Sequence, residues 1–415
     1  MSIVIVQQPA TASLSQSPMP YSFYESNTAV ITSSSFQYML DLYYWTGSRT
    51  DSGSVPQYTL VKYPNQDNTG IFDVSRIINS TLNRLSVSSL SQENTEWVAA
   101  DLYYQYQSGS VFVTGSRQRS LTSFAMDGYQ LFPEQIGAPL WFSDDHWPFL
   151  TGAPATQSLL RENEVNYVGV YYGNQGTTTS GSNLQPNYFT YDLSLGFTLN
   201  ESVSGVPTGS SDQQIYNFNL GKNNTTLSPY WNSLDWFIVH AYRNEGGTLT
   251  ELGQPLKYNI VCNQKYPNVR IMWKNRFGEF DYFNFNMVSR ESFSVSRSQY
   301  QPQIGTYNGS YLTYNSYDSS ILNYLVDTKQ AISVNTDWVN EGFNDTFKQL
   351  LVSDEIYWIY DEETFYREWG VSSNPQGIKP ITIKTDTIQF KTGVVDKVIQ
   401  YSFDFDYGQS YKLIL

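Results

Sequence analysis

Apolar and polar positions alternate along much of this chain. Val269, Ile271 and Trp273 alternate with Arg270, Met272 and Lys274. Lys274 to Glu279 then make a turn, in which Gly278 can take the positive φ that a tight loop needs. Tyr282, Phe283 and Phe285 fill a return strand, so 269–285 reads as an aromatic β-hairpin. The same period of two predicts strands at 3–6, 36–45, 57–62, 97–107 and 111–114. Further strands are expected at 165–172, 187–199, 214–220, 236–242 and 256–264, and again at 355–360, 379–384, 387–390 and 395–405. In the last, Ile399, Tyr401, Phe403 and Phe405 alternate with Val398, Gln400, Ser402 and Asp404, which marks one buried and one solvated face. A period near 3.6 predicts two helices. One covers 74–85, with Val74, Ile77, Ile78, Leu82 and Leu85 in step and Asp73 or Ser75 as cap. The other covers 338–352, with Val339, Phe343, Phe347, Leu350 and Leu351 on one face and Asp337 as N-cap.

These elements imply a mainly β chain: antiparallel β-sandwiches in several domains with a C-terminal α+β segment. Residues 1–130 form a first sandwich, 156–300 a second, and 301–415 the α+β part. Asp41-Leu42-Tyr43-Tyr44 recurs as Asp101-Leu102-Tyr103-Tyr104, as two equivalent strands under similar packing demands would. Residues 131–155 differ, with four proline breaks among apolar Trp141, Phe142, Trp147 and Phe149. Such a stretch either packs on its own domains or docks on a neighbouring subunit. Gly-, Ser- and Thr-rich loops lie at 173–183 and 202–211.

Composition agrees with a folded β protein. Of 415 residues, 16% are aromatic and only 15% charged, the reverse of a disordered chain. The net charge of −14 repels nucleic acid and anionic membranes, and no Lys/Arg run makes a local exception. One cysteine, Cys262, precludes an internal disulfide, and its default reading is a buried strand thiol. No basic start marks a signal peptide, and no apolar run approaches the roughly 20 residues of a membrane span. A soluble, cytosolically made protein is expected.

Candidate chemistry is sparse. His146 follows Asp144 and Asp145, and His240 ends an apolar strand; neither has a partner at metal-ligand spacing. Asp354-Glu355 and Asp361-Glu362-Glu363 flank an aromatic strand, a pattern that fits solvated turns or, alternatively, a polysaccharide hydrolase cleft. No nucleophile elbow, phosphate loop or dinucleotide fingerprint appears. No enzyme, cofactor or metal is expected.

Three segments, taken in order, resemble the uncharacterised virion structural proteins of tailed bacteriophages, particularly tail-associated ones. The first is Phe36-Gln37-Tyr38 with Asp41-Leu42-Tyr43, followed by Gly70-Ile71-Phe72-Asp73-Val74-Ser75-Arg76-Ile77. The second is Cys262 with Lys265-Tyr266, then Ile271-Met272-Trp273-Lys274-Asn275-Arg276-Phe277-Gly278. The third runs from Val334-Asn335-Thr336-Asp337-Trp338-Val339 through Leu350-Leu351-Val352-Ser353 to Phe390-Lys391 and Lys397–Phe405. The resemblance implies a β-rich building block of a tail ring, collar or baseplate, located in the virion and made in the host cytoplasm. Its partners would be copies of itself and other virion proteins, with neither nucleic acid nor membrane. Alternatives are a capsid accessory protein, or a surface receptor-binding protein whose Trp141, Trp147, Tyr171, Tyr172 and Tyr188 stack on a host glycan. Interface candidates are Lys274, Asn275, Arg276 and Phe277, a basic loop on an acidic chain expected either to be solvated or to meet an acidic neighbouring subunit. The apolar Trp141, Phe142, Trp147 and Phe149 are the others.

Overall fold

A computed structural model describes residues 3–10, 12–47, 49–50, 52–82, 90–91, 95–129, 148–172, 186–202, 214–245, 247–262, 265–307, 309–368, 377–390, 399–408 and 412–414. The protein is mainly β, built from several largely antiparallel sheets. In the N-terminal part, Ile3–Gln7, Pro20–Glu25 and Gly70–Asp73 form one sheet. It faces a larger one ordered Ala12–Leu14, Ser123–Met126, Thr95–Ser108, Gln37–Trp45, Tyr58–Lys62. Tyr21, Phe23 and Phe72 of the first pack on Tyr38, Leu40 and Leu102 of the second, a two-layer core of alternating inward residues.

The two copies of the Asp-Leu-Tyr-Tyr tetrapeptide lie side by side. Gln37–Trp45 and Thr95–Ser108 pair so that Asp41 faces Asp101. Like charges directly opposite are destabilising. Here each is answered in the same way. Tyr103 donates to Asp41 at 3.2 Å and Tyr43 donates to Asp101 at 3.1 Å. Arg117 reaches Asp41 at 2.9 Å while covering the Tyr103 ring, and Arg119 reaches Asp101 at 3.1 Å while covering Tyr43. The repeat is therefore a pseudo-twofold pair of polar clamps on the face away from the core.

A second two-layer unit packs Phe149–Leu150, Tyr167–Tyr172 and Gln214–Asn219 against the sheet ordered Thr156–Leu160, Thr248–Val261, Trp236–Glu245, Tyr188–Leu193, Thr198–Ser202. Leu90–Ser91, from the N-terminal part, joins the first of these sheets beside Gln214–Asn219. The C-terminal sheet runs Phe280–Phe285, Val269–Lys274, Ile356–Ile359, Ile378–Ile383, Ser402–Tyr407, Leu322–Asn335, Arg290–Tyr300, with Lys412–Ile414 also on Leu322–Asn335. Strands from both sides of residue 300 thus share one sheet.

The expected 269–285 hairpin is present as Val269–Lys274 and Phe280–Phe285, and Gly278 has φ +81°. The alternation in Ser402–Tyr407 is also as expected, with Phe403 and Phe405 buried and Ser402 and Asp404 exposed. Several elements differ. The strand read at 187–199 is two, Tyr188–Leu193 and Thr198–Ser202, paired antiparallel, and the helix read at 74–85 covers Ser75–Thr81, with Leu82 already extended. The helix read at 338–352 begins at Phe343. Val339 instead exchanges backbone hydrogen bonds with Ile399 (2.9 and 2.8 Å), and Asp337 caps only Trp338 N–H. Residues 387–390 form no strand, although Ile388 and Phe390 pack on the C-terminal core. Cys262 is exposed rather than buried, because it follows the last paired residue of Thr248–Val261; Arg161 Nη2 and Nε lie 2.9 and 3.0 Å from its sulfur.

Candidate functional site

All six residues of Val269–Lys274 are buried. Val269, Ile271 and Trp273 enter the C-terminal core with Phe347 and Phe403. The opposite face carries Arg270, Met272 and Lys274, and it too is covered. Arg270 pairs with Glu362 and donates to the Val165 carbonyl at 2.6 Å. Met272 packs with Val165 and Phe280. Lys274, with 3% of its side chain exposed, pairs with Asp127 and lies 3.5 Å from Glu355.

The loop after Lys274 is also interior. Phe277 sits among Trp97, Phe124 and Met126 of the N-terminal sheet and Leu150, Tyr171 and Ile215 of the second unit. Asn275 donates to the Leu150 carbonyl at 3.0 Å and accepts from the Phe277 and Glu279 amides. Arg276 N–H donates to Gln349 of helix Phe343–Val352 at 3.0 Å, and the Arg276 carbonyl accepts from Tyr129 N–H at 2.9 Å. Two glycines let the backbones meet: a Cβ on Gly278 would lie 2.3 Å from the Asp127 carbonyl oxygen, and one on Gly128 2.3 Å from that of Arg276. The expectation of a solvated or subunit-facing turn is therefore corrected. Lys274 does meet an acid, but one of its own chain, and the loop locks three sheet systems together. The sequence hid this because a buried charge and an exposed one look alike until the partner, here 147 residues away, is known.

Acids crowd this junction. Burial pushes Glu279 up to about 8, Lys274 opposing and Asp127 and Asp281 reinforcing the shift. Burial likewise raises Asp281 to about 6, against hydrogen bonds from Thr151 (2.6 Å) and Gly152 N–H (2.9 Å). Glu279 is thus held largely as a neutral acid near pH 7, which leaves Lys274 to balance Asp127.

Of the remaining interface candidates, Phe149 is 2% exposed and belongs to the core of the second unit, so it is unavailable for docking. Trp141, Phe142 and Trp147 lie outside the described residues, as does His146. Among the proposed glycan-stacking aromatics, Tyr171 is interior and Tyr188 half-buried. Two of the candidate acids serve local structure: Thr364, through its side chain and its N–H, holds the Asp361 carboxyl below the usual range at the start of helix Glu362–Glu368, and Glu362 pairs with Arg270. His240 lies between Glu251 (2.7 Å) and Asp192 (3.3 Å). Among the described residues, no cluster of three His, Cys, Asp or Glu side chains is placed to hold a metal ion. No described helix is long and apolar enough to cross a membrane.

The most unusual surface was not foreseen. Arg290–Tyr300 and Leu322–Asn335 pair along their length, from Arg290 opposite Ser333 to Tyr300 opposite Leu322. At one end Ile332 and Val334 are core residues, and Ser402–Tyr407 continues the sheet. Toward the other end the ribbon leaves the core: Arg290–Tyr300 is almost entirely exposed and so is most of 301–324. Eleven residues at about 3.4 Å each give this edge strand a length on the order of 35 Å, and Lys412–Ile414 still pairs with Leu325–Asp327 beside it, so the free arm is the part beyond Ser298 and Leu325. Its outer part displays Tyr307, Tyr311, Tyr314 and Tyr317 at 61–82% exposure, with Phe293, Tyr300 and Tyr324 about half exposed. Sequence alternation missed it because Ser292, Ser294, Ser296 and Ser298 interleave with Phe293, Val295 and Arg297, and neither face is consistently apolar. The signal that was available is the tyrosine density of 300–324, in a stretch with neither helical nor strand period. No protein-family model matches the chain, and no curated protein matches it at a significant level.

Proposed function

We propose that this chain is a non-enzymatic structural component of a tailed-phage virion, a tail ring, collar or baseplate protein that assembles with copies of itself. The exposed tyrosine-bearing arm carries this reading. Beyond Leu325, where the pairing with Lys412–Ile414 ends, only two strands continue among the described residues, and a two-stranded ribbon is marginal in water by itself. Exposed apolar residues on a β ribbon invite association, and natural proteins blunt such surfaces unless they use them. Tyrosine suits an interface because it buries a large area with few rotatable bonds. Four tip tyrosines covering most of the roughly 150 Å² or more typical of each would supply on the order of 500 Å² of a standard interface's ~800 Å² per partner. Closed rotational symmetry would repeat the arm's contact around a ring. The resemblance to virion structural proteins supports the same reading.

The test is to purify virions that encode the chain and locate it by mass spectrometry and electron microscopy. The proposal expects the protein in particles in multiple symmetric copies; its absence from purified virions would refute it.

A further inference from the structure

A cleft of about 310 Å³ opens where the edge strand Thr156–Leu160 of the second unit approaches the edge strand Phe280–Phe285 of the C-terminal sheet. The segment 337–343 closes its third side. Six carboxamides line it: Gln157, Asn166, Asn259, Asn284, Asn286 and Asn340. Among the described residues Asp337 is the one carboxylate of the lining and no Lys or Arg takes part, so this lining is nearly neutral on a strongly acidic chain. It is therefore ill suited to phosphates, acidic sugars or nucleotides, which require cations.

Several of these groups are held in place. Asn284 accepts from Asn268 and donates to Asn163, both at 3.0 Å, and Asn163 in turn donates to Glu362 at 3.0 Å. At the rim stands Trp338, 61% exposed, an indole that the fold does not bury.

We propose that this cleft binds a neutral saccharide. A sugar ring has an apolar C–H face and an edge of hydroxyls, each both donor and acceptor. Trp338 offers the electron-rich aromatic face that the C–H groups favour. Carboxamides, which both donate and accept, match the hydroxyl edge in both directions. The volume lies at the lower end of the about 300–1,000 Å³ of small-molecule sites, which fits a ligand of one or two rings. This site differs from the aromatic loops expected from the sequence, and it is independent of assembly through the arm.

Saturation-transfer NMR on the full chain tests it. The probes are neutral hexoses, N-acetylhexosamines and their disaccharides, with a uronic acid and a blocked tripeptide as comparisons. Neutral sugars should bind with Kd on the order of 1 mM. W338A, a change at an exposed position, should weaken them about tenfold. The proposal is overturned if no neutral sugar binds, if W338A binds as well as the parent chain, or if the uronic acid or the peptide binds equally well.

Discussion

Replacing Lys274 by Met removes one ammonium from the junction while nearly keeping the side chain's volume. Lys274 and Asp127 are 3% and 1% exposed, and Glu355 is 11% exposed. Asp127 would retain only the Gln16 amide at 2.9 Å and the Gly128 N–H at 2.8 Å. Removing one partner of a buried pair typically costs about 3–5 kcal/mol, against about 0–1 kcal/mol for an exposed pair. With total stabilities of about 5–15 kcal/mol, the loss is a large fraction of the whole. Replacing both partners, K274M with D127N, removes the stranded charge and should recover part of the loss, a coupling of about 1–3 kcal/mol. Urea denaturation of the four proteins, followed by tryptophan fluorescence and far-UV circular dichroism, measures each term. If K274M cost less than about 1 kcal/mol, Lys274 would behave as a solvated residue, and the placement of the loop inside the fold would be refuted.

Phe277→Ala should cost about 3–5 kcal/mol, because it empties a site shared by two sheet systems; a change within 1 kcal/mol in the same denaturation assay would contradict that packing. Glu279 gives a pH dependence with a defined sign. Its folded pKa, about 8, lies above its ordinary 4.5, so the folded state holds the proton more tightly. The resulting stability is fully present below about pH 4.5 and is lost as pH rises through 8. At 1.36 kcal/mol per unit this amounts to at most a few kcal/mol. E279Q should therefore flatten the decline between pH 5 and 8.5, and identical pH profiles for parent and variant would argue against a buried, protonated Glu279.

Much of this architecture could be read from alternation alone, and the limits have physical causes. Residues 269–285 were placed to within a residue or two, and the alternation at Phe403 and Phe405 was read correctly although the strand expected at 395–405 is Ser402–Tyr407, because period-two burial is local information and strand ends are not. The helix start was misplaced because Val339 fits a helical face as well as it fits the bridge to Ile399, and only the distant strand decides. The paired copies at Asp41 and Asp101 were visible as a repeat, but their register depends on strand pairing across 60 residues. The junction was the hardest to read. Lys274, Asn275, Glu279 and Asp281 are residue types that usually lie outside, and they lie inside because each answers another. The arm inverts that problem: its aromatics look like core residues and lie outside.

The central claim is that the arm joins one copy to another, and sedimentation velocity tests it most directly. The full chain is compared, across a concentration series, with a variant in which residues 301–321 are replaced by a short Asn-Gly turn. The account predicts a concentration-dependent oligomer for the intact chain and a folded monomer for the shortened one. An intact chain that stays monomeric throughout, or a shortened one that assembles equally well, would contradict it.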